Sequence, residues 1–230
     1  WGRKNLGALS NAIRSVLELF YNWTGNYGLA IIMLTILVRV VLFPLFKKQM
    51  TFSAKMREMN PLLKEIQEKY KDQPEEYQKK TMELYKQHKM SPLSGCLPTL
   101  VQLPVMISLY QVLMKQIAAA QSASFLWITD LSKPDAYVLP ILVGLTTFGQ
   151  AKTMAVEQDQ NSKTMTWIMP IFMLYMSFRF AAGLALYWTV FNFFSMAQQY
   201  VFNKAWERKE KSAQGEVAKS EKNRKKGKNS

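Results

Sequence analysis

One cysteine and one histidine, Cys96 and His88, are the only thiol and imidazole among the 230 residues. A lone thiol cannot close an internal disulfide, and a single imidazole without Cys or carboxylate partners at ligand spacing does not make a metal site. Cys96 is therefore expected to be a small buried residue and His88 a surface one. No GxxxxGK[ST] loop or Gly-rich nucleotide fingerprint occurs, so the chain has no evident means of using ATP. The long apolar stretches contain no Asp, Glu or His. That excludes the carboxylate pair, or the nucleophile and base, that an intramembrane hydrolase requires. An enzyme, a metal or a cofactor is not expected.

What is present is strongly segregated. A mean hydropathy of −0.11 conceals 49% hydrophobic residues, which fall into stretches that predict five membrane spans: Gly28 to Phe46, Cys96 to Met114, Tyr137 to Met154, Met165 to Phe178 and Gly183 to Phe202. From Thr164 to Asn203 the only charge is Arg179. Helix over that whole length would be about 60 Å, twice a bilayer core, so the chain must fold back, and the stretch from Arg179 to Gly183 is the natural turn.

The first span, GLAIIMLTILVRVVLFPLF, carries one cation, Arg39. Holding a guanidinium at the centre of a span costs about 2.5 to 3.5 kcal/mol on insertion scales, so such a residue usually has a use. Snorkelling to the headgroups from near the cytoplasmic end is the plain alternative. A functional reading requires that Arg39 lack a carboxylate partner and border a hollow that holds water.

Orientation follows from the basic residues. Of 30 Lys and Arg, 23 lie in Lys47 to Met90, Lys152 to Lys163 and the tail from Lys204, against 6 in the segments expected on the opposite side. The bias places the N-terminus outside and the C-terminus in the cytoplasm, a multi-pass arrangement in a bacterial cell membrane. The start at Trp1 without Met suggests a mature or trimmed form.

The flanking segments read separately. Residues 1–27 form an outer amphipathic helix with Leu6, Leu9, Ile13, Val16, Leu17 and Phe20 on one face, either lying in the interface or packing over the mouths of the spans. Residues 47–90 read as a cytoplasmic helical hairpin. Asn60 and Pro61 mark the start of its first helix, the turn lies near Pro74, and the return runs from Glu75 to His88. A docking role and a merely solvated hairpin are both open. Residues 204–230, basic and with too little apolar content to build a core, are expected to be disordered, and could contact ribosomal RNA or anionic lipid.

Residues three or four apart share a helix face, which pairs Thr35 with Arg39, Thr99 with Gln102 and Thr146 with Gln150, and aligns Trp188, Asn192, Ser195 and Gln199. Interhelical hydrogen bonding is the plain explanation for such pairs, and the better one for Ser195 and Gln199. A positively charged hydrophilic groove is the picture for the rest.

The stretch LYKQHKMSPLSGCLPTLVQLPVMISLYQVL, together with FLWITDLS, LPIL, GLALYWTVFN and FPLFKKQM after Arg39, closely resembles the YidC/Oxa/Alb family of membrane protein insertases, from first span to last. The absence of a bulky outer domain before the first core span is the pattern of a short, Gram-positive type. The resemblance implies an all-α polytopic core, residues 28–203, of five helices around a groove open to cytoplasm and lipid. By position, Arg39 matches the groove arginine, with Gln102 and Trp188 as neighbours; Thr35, Gln150 and Asn192 are added from helix spacing. Nascent membrane proteins and the lipid bilayer are the implied partners, with a Sec translocon and the ribosome as further candidates and no DNA. A small anion channel or transporter could also use a buried arginine, but the internal repeats common in transporters are missing.

Overall fold

A computed structural model describes residues 2–88, 90, 97–119, 123–154 and 160–226. These form eight α-helices with no strand: α1 (Gly2–Thr24), α2 (Tyr27–Val41), α3 (Phe43–Lys69), α4 (Pro74–Gln87), α5 (Leu97–Ala119), α6 (Val138–Met154), α7 (Gln160–Ser177) and α8 (Ala182–Lys226). The apolar stretches become α2, α5, α6, α7 and the first half of α8. Cys96 and the neighbouring Pro92, Leu93 and Gly95 lie outside the described residues.

The core is built from one face of each helix: Ile13 and Leu17 of α1, Ile31 and Leu34 of α2, Leu109 and Leu113 of α5, Leu139 of α6, and Leu184 and Tyr187 of α8. The apolar stripe of α1 packs across α2 and α5. Its polar face is tied down as well, since Glu18 accepts from Arg14 at 2.9 Å and from Gln116 of α5 at 2.6 Å. Helix α1 ends at Gly25, whose φ of +64° suits a residue without Cβ. Asn26 then caps α2, its side chain accepting from the amides of Gly28 and Leu29 at 2.9 and 3.2 Å.

Two boundaries differ from the expected ones. The run from Gly28 to Phe46 is not a single helix. It breaks at Leu42, and α2 and α3 meet at a bend of 68°. Pro44 supplies the reason: it has no N–H to give and its ring crowds the preceding turn, so the chain restarts there, with Leu45 and Phe46 donating to the Leu42 carbonyl at 3.0 and 3.1 Å. Among the described residues no single helix is long and apolar enough to cross a membrane alone; the bent pair α2–α3 is, by length and composition.

Nor does the hairpin's first helix begin at Asn60. Helix α3 runs through Pro61 without interruption, because Lys, Glu, Met, Leu and Gln on both sides favour helix and the turn just before the proline is anchored. Arg57 donates to the Thr153 carbonyl at the end of α6, and Glu58 accepts from Trp206 Nε1 at 2.7 Å. The return helix α4 starts at Pro74, one residue before the expected Glu75, and His88 beyond it is exposed. Helix α8 likewise continues through the tail to Lys226, where composition predicted disorder. Extending an established helix costs far less than nucleating one, and Ala, Glu, Lys and Gln all favour it.

A loop at the opposite end of the bundle joins α5 to α6. Phe125 and Ile128 pair backbones, the carbonyls of Lys133 and Leu131 accept from the first amides of α8, Ala182 and Gly183, at 2.8 and 2.9 Å, and Phe125 lies on Gly28 of α2. The loop thereby caps α8 and fixes it against α2.

Candidate functional site

Arg39 occupies the last turn of α2, where the carbonyl end of the helix dipole favours a cation. It is 3% exposed. Its guanidinium lies between two rings, 4.2 Å from the centroid of Phe46 on α3 and 3.8 Å from that of Phe191 on α8. Nη2 donates to the Phe191 carbonyl at 2.8 Å and Nη1 to Gln198 Oε1 at 3.1 Å. None of the ion pairs among the described residues involves it; they join Arg14 to Glu18, Lys79 to Glu76, Lys80 to Glu83 and Lys133 to Asp130. Nε is buried with no hydrogen-bond partner.

Thus the charge is solvated by dipoles and π-faces alone. Snorkelling is ruled out by the burial and the inward contacts. The expected open hollow is also not what surrounds the group: the two rings close over it, because the bend at Leu42 turns Phe46 back onto the Arg39 face. The first condition for a functional arginine holds among the described residues, and the second is met only if these rings part.

The other candidates lie along α8 from this point. Tyr187, fully buried, stacks on Phe191 with ring centroids 5.9 Å apart. Its hydroxyl accepts from Gln102 Nε2 of α5, while Gln102 Oε1 has no partner. Asn192, one residue beyond Phe191 and fully buried, is satisfied with its oxygen toward Thr147 of α6 and Trp188. It then accepts from Thr147 Oγ1 at 2.9 Å and Trp188 Nε1 at 3.1 Å, and its nitrogen donates to Gln150 Oε1. Trp188 Nε1 also lies 3.0 Å from Thr147 Oγ1.

The structure therefore joins Arg39, Gln102, Gln150, Trp188 and Asn192 through α8, drawing in α2, α5 and α6. Thr35 is buried one turn from Arg39, but its hydroxyl donates to the Ile31 carbonyl of its own helix at 2.7 Å, so it contributes shape rather than a free polar group. Ser195 and Gln199 do not bridge helices as expected: Ser195 donates to the Phe191 carbonyl and Gln199 to Asn203, both within α8. Phe46, Tyr187, Phe191, Thr147 and Gln198 were not singled out from sequence. Phe46 reaches Arg39 only through the bend at Leu42, and a Phe in an apolar run otherwise reads as filler.

A buried cation with neutral solvation, linked through α8 to the half-satisfied amide of Gln102 and to the Asn192 cluster, is suited to transient recognition of an anionic group. It has no nucleophile–base pair of the kind bond cleavage requires.

The sequence model of the 60Kd inner membrane protein family matches residues 19–210. The membrane protein insertase YidC of Citrifermentans bemidjiense is 40% identical over 200 residues, 86% of this chain and 37% of that protein. The YidC insertase of Francisella tularensis subsp. novicida is 39% identical over 203 residues, 88% of this chain and 37% of its own length. A crystal structure of an active YidC insertase with its first transmembrane domain resolved superposes with a TM-score of 0.68 at 27% identity, covering 83% of this chain and 46% of that one. The chain spans less than two-fifths of the length of these curated relatives.

Proposed function

The chain belongs to the 60Kd inner membrane protein family, the YidC/Oxa group, and on that premise we propose that it is the core of a membrane protein insertase. It receives hydrophobic segments of nascent proteins beside Arg39 and passes them sideways into lipid. The observation that carries this reading is a buried guanidinium balanced by no carboxylate among the described residues.

The energetics need no fuel. A client segment of about twenty apolar residues gains about 10 kcal/mol on entering lipid, at about 0.5 per residue. The barrier is the polar flank that must cross with it. A polar interior reaching partway through the bilayer shortens the dehydrated path, and Arg39 offers an acidic flank a temporary partner worth about 4 kcal/mol at close range in an effective dielectric of 20. Outward transfer of that flank is then aided by the membrane potential, about 2.3 kcal/mol per charge per 100 mV when the exterior is positive.

In this arrangement α2 with the start of α3, α5, α6, α7 and the first half of α8 span a bacterial cell membrane. The N-terminus lies outside, and the α3–α4 hairpin and the tail lie in the cytoplasm, as the Lys and Arg bias directs. The hairpin meets the incoming chain, and the basic tail lies against anionic lipid.

Insertion of single-span clients with acidic outer tails, measured in proteoliposomes, tests the role of Arg39. Arg39→Ala is expected to lower insertion at least about tenfold, since the charge that holds the flank is gone. From sequence alone, Arg39→Lys is expected to retain much activity, because charge rather than fork geometry would be used. The planar fork and the two ring faces that the guanidinium uses make the lysine variant intermediate instead. Equal insertion by wild type and Arg39→Ala would refute the reading.

A further inference from the structure

The two rings that enclose Arg39 come from different parts of the chain. Phe191 is carried by α8, fixed by the packing of that helix against α2, α5 and α6. Phe46 is carried by α3, one turn beyond the break at Leu42, on the helix that continues to Lys69 and forms the near arm of the cytoplasmic hairpin. The rings touch each other edge-on, with centroids 5.9 Å apart and planes at 66°, and hold the guanidinium between them. The covering is therefore made of one fixed and one jointed part.

The geometry points to Phe46 and Phe191 as a shutter that keeps Arg39 unavailable until an apolar client segment replaces the Phe46 ring, so that the site accepts an acidic group only when a hydrophobic stretch arrives with it. This rests on the insertase reading and sharpens it from a cation that attracts anions to a site that reads two client features together.

Three observations support it. Arg39 Nε is buried without a partner, so the closed arrangement leaves one donor of the guanidinium unmet, a costly state in a packed interior that a client carboxylate would relieve. The joint at Leu42 lies between the cation and the ring. A tilt of α3 withdraws Phe46 while Arg39 stays on α2, and a continuous helix transmits hairpin movement to the ring. The hairpin arm meets the bundle through the buried Met50, Ala54 and Met59 and through two polar contacts at one level, Arg57 to the Thr153 carbonyl and Trp206 to Glu58, so a load on the arm is passed to the turn that carries Phe46. A guanidinium left open in a membrane protein would otherwise bind free anions and headgroup phosphates; ring faces satisfy the cation electrostatically and exclude these competitors.

The test is arginine-selective modification of the full chain in phosphatidylglycerol-containing proteoliposomes with a dicarbonyl reagent, read residue by residue by mass spectrometry. In the wild type Arg39 is expected to stay unmodified while Arg14 reacts. Phe46→Ala should raise the Arg39 rate at least tenfold without changing that of Arg14. Phe46→Leu, which keeps an apolar side chain and removes the ring, should raise it to a lesser degree, and Phe46→Tyr should keep the protection and report that the fold tolerates change at this position. In insertion assays Phe46→Ala should accept acidic clients whose apolar segments are too weak for the wild type. Unchanged protection of Arg39 in both Phe46→Ala and Phe46→Leu overturns the shutter, even if Arg39→Ala abolishes insertion. Normal insertion by Arg39→Ala overturns the insertase role of Arg39 instead, whatever the modification pattern.

Discussion

Arg39 is kept charged and buried by a helix C-terminus, a backbone carbonyl, a glutamine oxygen and two ring faces, each modest alone. Ring faces contribute about 2 kcal/mol when water is excluded. Asn192 plays the matching role for α6 and α8. Asn192→Leu removes an amide that serves Thr147, Trp188 and Gln150, and should lower stability by about 1 to 3 kcal/mol because their polar atoms stay buried. Thermal unfolding in detergent micelles checks this, and an unchanged midpoint would show that the cluster is not a structural bond. At this scale the polar members of the site were legible, since Arg39, Gln102 and Asn192 stand out against apolar neighbours. The aromatic members were not, because Phe46 and Phe191 gain meaning only from the cation that the fold places between them.

Helices as units were legible from apolar runs and spacing, but where they break or continue was decided by contacts that span the sequence. Pro44 ended a helix while Pro61 did not. The difference is that Pro61 lies just after Arg57 and Glu58, which are tied to α6 and α8. The α5–α6 loop shows the same dependence on distant partners. Gly28 of α2 meets Phe125 so closely that an added Cβ would overlap the ring; Gly28→Ala should therefore cost about 1 to 3 kcal/mol by overpacking, read as a lower unfolding midpoint that Phe125→Leu partly restores. Within the loop, the Ser132 hydroxyl and amide and the nearby Lys133 hold the Asp130 carboxyl below the ordinary range. A depressed carboxylate contributes stability that is complete above the unfolded value, near 4, and fades as pH falls through the lower folded value. Acidification below about pH 4 should loosen the loop and its cap on α8. Limited proteolysis across pH 3 to 6 should show this, and Asp130→Asn should remove the pH dependence.

For the whole molecule, charge placement and apolar content indicated one all-α core with a hairpin on its basic side. The enclosure of the central cation was not legible, because closure depends on a 68° bend that a linear hydropathy pattern does not carry. The basic extension of α8 is expected to lean on anionic lipid at about 1 kcal/mol per basic residue near the surface. Truncation after Asn203 should weaken binding to anionic vesicles at low salt and change little at high salt. Salt-sensitive cosedimentation with ribosomes in detergent that is lost on the same truncation would assign the tail to the ribosome instead.

The central claim is that clients pass the polar cluster around Arg39 rather than the lipid-facing exterior. It is tested most directly by placing a photocrosslinking residue at Gln102, at Trp188 and, as a lipid-facing control, at Leu145, which is 62% exposed, with a nascent single-span client stalled during insertion. The account predicts strong client adducts from positions 102 and 188 and weak ones from 145. Adducts from 145 alone would contradict it.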